Sequence, residues 1–139
     1  LIIRGQNFQA NDIAWSVMRA HVAIRFGGVS VWADDSTASL VVAAELRVGQ
    51  ARIEEVLMAI RSVLQVDFGV KLSRCLLLPD KALLKTTSGK PRHGDNQARW
   101  QANTLPVLVV KTGNQPHQLA APPDVVQRYC CFSTGVKNE

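Results

Sequence analysis

The sequence predicts an α+β domain, a small antiparallel or mixed sheet of about three strands plus an N-terminal hairpin strand, flanked by two to three helices. Three observations lead there. Runs of branched aliphatic residues alternate with stretches of helical period, glycine and proline punctuate the junctions, and 47% hydrophobic residues in a chain of 139 supply one core.

The opening Leu1-Ile2-Ile3-Arg4-Gly5 reads as a short strand, and its abrupt start resembles the middle of a longer protein. Asn11-Asp12 offers a helix N-cap, with Ile13, Val17 and Ala20 following on one face, so a first helix is expected to end near His21. Gly27-Gly28 is expected to break the chain before a strand over 29–33. Turn chemistry at Asp34-Asp35-Ser36 then leads to a second strand over 40–46. From 51 to 65 the apolar positions Ile53, Val56, Leu57, Ile60 and Leu64 follow helical spacing. Glu54 and Glu55 sit in the first turn, where the helix dipole favours anions, and Gly69 closes the helix. Residues 73–78 read as a buried strand that stops at Pro79. Residues 79–94 are a polar, basic loop. Past Asn103 the prolines Pro106, Pro116, Pro122 and Pro123 predict a tail or linker with patchy structure, including a helical candidate over 124–129. The domain is thus expected over 1–103 and the tail over 104–139.

Composition narrows the function. No apolar run approaches the roughly 20 residues that cross a bilayer, so no membrane span is expected. Cys75, Cys130 and Cys131 form neither a disulfide framework nor a zinc spacing, which points to a reducing, cytoplasmic setting and no metal site. The net charge of +5 suits an acidic partner. Lys85, Lys90, Arg92 and Arg99 are the densest cations, without the interleaved aromatics of an RNA-binding sheet, so no nucleic-acid partner is expected. His21 and His93 have no ligand spacing and read as helix-end and surface residues. Trp15, Trp32 and Trp100 read as core or domain-contact residues.

Chemistry concentrates in Lys85-Thr86-Thr87-Ser88-Gly89-Lys90. It is not a phosphate-binding P-loop, because Leu84 stands where the first glycine belongs and Pro91 follows the lysine in place of Ser or Thr. The segment Leu84-Lys85-Thr86-Thr87-Ser88-Gly89-Lys90-Pro91-Arg92 resembles PKTxSGKxxR, the closing motif of adenylate-forming enzymes. The opening LIIRGQNFQANDIAWSV is similar to IIIRGxNxxPQDIExxV of fatty acyl-AMP ligases, and AHVAIRFGG at 20–28 resembles their AHPAVRPGG. The departures are Ala10, Phe26 and Leu84, where the family shows proline, and Ala14, where it shows a Glu that meets the large domain.

This resemblance to the C-terminal lid domain of a fatty acyl-AMP ligase implies a function. Lys90 would be the catalytic side chain, supported by Thr87, Ser88 and Gly89. Arg4, Gly5 and Asn7 would lie on the phosphopantetheine path to an acyl carrier protein, Gly5 serving that path or simply a hairpin turn. ATP and Mg2+, with the fatty acid, would be bound mainly by an N-terminal adenylation domain of the same polypeptide, so this chain alone would be inactive. The alternative is a non-catalytic docking or regulatory module contacting a carrier protein or a megasynthase domain.

Overall fold

Strand β4 (Ser39–Leu46) is buried along its whole length, and both of its faces therefore need cover. It pairs antiparallel with β3 (Ile24–Asp34) and parallel with β6 (Leu72–Leu78). The computed structural model, which describes residues 1–34 and 38–131, continues this sheet through β7 (Val109–Thr112) and β8 (Gln118–Leu119), in the order β3-β4-β6-β7-β8. Within this sheet the β4–β6 pairing is the parallel one among the described residues, because α2 (Ile53–Phe68) crosses between them.

Alternation along the strands sorts side chains onto two faces. Val29, Val31, Leu40, Val42, Ala44, Leu46, Cys75 and Leu77 lie under α1 (Ala10–Met18) and α2, against Ile13, Val17, Val56, Leu57, Ile60 and Leu64. The opposite face carries Trp32, Val41, Ala43, Leu76 and Leu78. It is covered by Ala82 and Leu83 of the loop after β6 and by Leu105, with Trp100 of α3 (His93–Gln101) packed alongside.

Several expected boundaries move, each for a physical reason. Gln9 caps helix α1 through backbone bonds, since Asp12 N–H donates to Gln9 O at 3.1 Å, while the Asn11 side chain accepts a hydrogen bond from His93. It ends at Met18, and the His21 ring accepts Ala23 N–H in the turn that follows. Gly27-Gly28 does not break the chain: β3 runs through it as a bulge, with register shifting between Ile24 and Val29. Asp35 and Ser36 of the expected turn lie outside the described residues. Residues 51–52 are strand β5 (Ala51–Arg52) and not the first helical turn. At the other end of α2, Gly69 closes the helix as expected, with Val70 N–H reaching back to Leu64 O at 3.2 Å.

The largest difference concerns the sheet and residues 104–131. Five strands stand where about three were expected, because β7 and β8 come from the stretch read as a tail. The chain then makes a short helix α4 (Pro123–Val126) and strand β9 (Cys130–Cys131), parallel to β5. Val126, Tyr129 and Cys130 belong to the main core. The N-terminal hairpin is β1 (Ile2–Ile3) with β2 (Gln6–Asn7), and Ile3 is buried under it.

Removing residues 104–139 would uncover β6 and strip Val126 and Tyr129 from the core. The shortened chain is expected to lose its cooperative thermal transition by near-UV circular dichroism. A sharp transition in that truncated form would contradict the packing described.

Candidate functional site

The lysine loop is a β-hairpin. Arg92 N–H donates to Leu84 O at 2.9 Å, Lys85 bridges Pro91, and Thr86 N–H donates to Lys90 O at 2.8 Å. Gly89 N–H returns to Thr86 O at 2.9 Å and closes the three-residue loop Thr87-Ser88-Gly89. Gly89 occupies its left-handed position with φ 88°, where a side chain is strained. Thr86 Oγ1 accepts the Lys90 N–H at 3.2 Å and lies 3.0 Å from Ser88 Oγ. Lys90 emerges beside the tip, exposed, and among the described residues its ammonium has no ion-pair partner.

Next to it opens a cleft of about 340 Å³ lined by Asn11, Ala14, Trp15, Met18, Phe26, Gly27, Gly89, Lys90 and Pro91. Its walls are apolar and Lys90 is the charged member. Trp15 and Phe26 meet edge to face with centroids 5.1 Å apart, yet remain 47% and 66% exposed. Ala14, which stands where the resembled family has a Glu, is 1% exposed and belongs to this chain's own core.

Two polar anchors on the second sheet face hold the hairpin. Glu45, 0% exposed, points from β4 to that face. It accepts Leu83 N–H at 2.9 Å and the Lys85 ammonium at 3.2 Å, with the Arg25 guanidinium 3.8 Å away. The neighbouring bulge is shaped around it, since a Cβ on Gly28 would lie 2.9 Å from Glu45 Cβ and Oε1. The second anchor is α3. Asn96, also fully buried, accepts Leu84 N–H at 2.8 Å and donates to Leu84 O at 3.1 Å and Ser30 Oγ at 3.4 Å.

His93 is a half-buried tie and not the surface histidine that was expected. Its Nδ1 accepts Val31 N–H at 3.2 Å and lies 2.8 Å from Ser30 Oγ, and its Nε2–H donates to Asn11 Oδ1 at 2.8 Å. That pattern requires the neutral ring, and burial depresses its pKa. Arg92 pairs with Asp95 at 2.5 Å on the surface. Farther along, Tyr129 O–H donates to Asp80 at 2.6 Å, which with nearby Arg25 holds the Asp80 carboxyl below its ordinary value and raises the Tyr129 hydroxyl. The Cys75 thiol is pushed by burial to about 12 and stays protonated.

Thr87, Ser88, Gly89 and Lys90 thus share one hairpin tip. Arg4, Gly5 and Asn7 belong to a different feature, the β1–β2 hairpin, whose two-residue turn places Arg4 at φ 51° and Gly5 at φ 78°. None of the three lines the cleft, and nothing lies within 4 Å of a Cβ built on Gly5, whose positive φ serves the hairpin turn. The sequence reading missed Glu45, Asn96, His93 and Ser30 as supports. A signal existed for one of them: Glu45 is the lone charge in an apolar strand, and such a residue is buried only with partners. Among the described residues, no cluster of three or more His, Cys, Asp or Glu is set to hold a metal, and no helix is long and apolar enough to cross a membrane.

No family model matches the sequence, and neither does any curated protein. Solved structures do. The chain is similar to the adenylation, ketoreductase and pseudo-Asub multidomain structure of a keto acid-selecting NRPS module, at 20% identity and TM-score 0.64 over 76% of this chain and 9% of that one. It is similar to the fatty acid AMP ligase from Legionella pneumophila, at 20% identity and TM-score 0.63 over 77% of this chain and 20% of the ligase. A third likeness is to the fatty acyl-adenylate ligases from E. coli and L. pneumophila, at 24% identity and TM-score 0.61 over 74% and 18%. The chain spans at most a fifth of these structures' lengths. What they share with it is the fold.

Two outcomes follow from the anchors. Because the folded state disfavours the His93 imidazolium, the unfolded chain binds the proton more readily and acid favours unfolding. The contribution of His93 is complete above pH 6.5, its ordinary value, and is lost as pH falls through that value toward the depressed folded one. Urea unfolding from pH 7 to 5 should show this decline, and His93→Gln should flatten it. Gly28→Ala, forced against Glu45, should lower stability by about 1–3 kcal/mol in the same assay.

Proposed function

We propose that this chain is the lid of an ATP-dependent fatty acyl-AMP ligase and that Lys90 is the side chain it supplies to acyl-adenylate formation. The observation that carries this reading is the exposed ammonium of Lys90, without an ion-pair partner among the described residues and held on a short hairpin whose base is fixed to the sheet on both sides. The motif resemblance around Lys90 and the shared fold support it.

The chemistry asks for such a group. A fatty acid carboxylate attacks the α-phosphorus of ATP, an acyl phosphate bond forms, and pyrophosphate leaves. Negative charge gathers between two anions, and a fixed, compact cation stabilises it most where water is excluded. In this reading ATP, Mg2+ and the fatty acid are held by an N-terminal adenylation domain, and the acyl group then passes to the phosphopantetheine thiol of an acyl carrier protein. The β1–β2 hairpin with Arg4, Gly5 and Asn7 is assigned to that second step. In this reading the chain supplies the lysine and its partner domain the nucleotide site, so the chain alone is expected to make no adenylate. The Cys75 and Cys130 thiols, buried and outside any disulfide, suit a cytoplasmic enzyme.

A second reading, a docking or regulatory module, draws on the exposed Trp15–Phe26 pair, since apolar rings left in water mark contact surfaces. One experiment separates the two. In the full-length enzyme, Lys90→Ala is expected to lower fatty acid-dependent ATP–pyrophosphate exchange by about 10²–10³-fold, the scale for removing one transition-state donor. Exchange at the parent rate in that variant would sink the catalytic reading and favour docking.

A further inference from the structure

We propose that Asn96 is a positioning residue for Lys90, its buried carboxamide setting where the lysine hairpin leaves the sheet. This deepens the reading of Lys90 as the adenylation lysine and rests on it.

A carboxamide presents an N–H and a C=O side by side, as a peptide group does, so it can pair with a backbone as a neighbouring strand would. Asn96 does this at Leu84, accepting its N–H at 2.8 Å and donating to its carbonyl at 3.1 Å. Leu84 is the residue from which the hairpin starts, and its carbonyl also accepts Arg92 N–H at 2.9 Å, so both arms converge on the group that Asn96 holds. Asn96 in turn reaches Ser30 of β3 at 3.4 Å, which ties the hairpin to the sheet. The side chain is 0% exposed and is the buried residue of α3, so the helix seats through it. From Leu84 the hairpin has only the Lys85–Pro91 bridge and the Thr86–Lys90 bond before its tip, too few rungs to absorb a shift at the base.

Substitution separates this role from mere filling of space. Asn96→Asp still accepts Leu84 N–H but turns an oxygen toward Leu84 O, where a donor had been. Asn96→Ser keeps one small polar group without the charge and serves as the second variant if the aspartate form does not fold.

In the full-length enzyme, either variant is expected to lower the exchange kcat by about 10²-fold, the scale for displacing a reacting group by an ångström, with the KM for ATP unchanged. In a Lys90→Ala background the same change should cost nothing further, because residues that act through one another are not additive. Amide hydrogen exchange should accelerate at Thr86, Gly89, Lys90 and Arg92 and stay constant in β4 and α2. Additive losses in the double variant, or hairpin amides that exchange at the parent rate, would overturn the proposal. If Lys90→Ala itself leaves activity intact, the adenylation reading fails, and the hairpin amides alone then decide whether Asn96 positions the loop.

Discussion

A carboxylate buried in an apolar strand governs this molecule. Glu45 lies on β4 with no solvent access, and an isolated charge there would be prohibitive. The chain satisfies it from one direction, drawing the Leu83 amide and the Lys85 ammonium onto the second face of the sheet with Arg25 close by. The segment after β6 therefore cannot hang free as a surface loop. It must return across the sheet, and in doing so its Ala82 and Leu83 cover that face.

The consequence reaches the bulge in β3. Opposite Glu45 the strand carries extra residues, Gly28 leaves room for the carboxylate, and Gly27 approaches the backbone of Gly89. Bulge and hairpin tip together make one side of the cleft, and α1 makes the other with Trp15 and Met18. A polar requirement in the sheet is thus converted into a fixed place for a mobile type of side chain. Lysine carries large rotamer freedom, and confining its backbone is the part of that cost a fold can meet in advance.

The same economy explains α3. Its sequence, His93-Gly94-Asp95-Asn96-Gln97-Ala98-Arg99-Trp100-Gln101, has no apolar stripe to dock with. It is seated by hydrogen bonds from Asn96 and His93 to Leu84, Ser30, Val31 and Asn11, and by Arg99 to the carbonyl of Ala82. Helices seated this way are specific and sensitive, since each partner lost strands a buried polar group.

What the sequence determined by itself were the features with local causes. The period of α2, its closure at Gly69, the apolar runs of β4 and β6 and the stop at Pro79 all follow from side-chain spacing and backbone restriction, and the lysine motif stands out by residue order. What the tertiary structure decided were the features with distant causes. Residues 105–131 join the body because β6 has a free edge and the main core has room for Val126 and Tyr129, neither of which is visible from a proline-rich stretch. Asn11 caps no helix because His93, 82 residues away, claims it. Asn96 and Glu45 become supports of the lysine only when the two sheet faces exist, for a polar residue acquires its role from the partner that burial assigns to it.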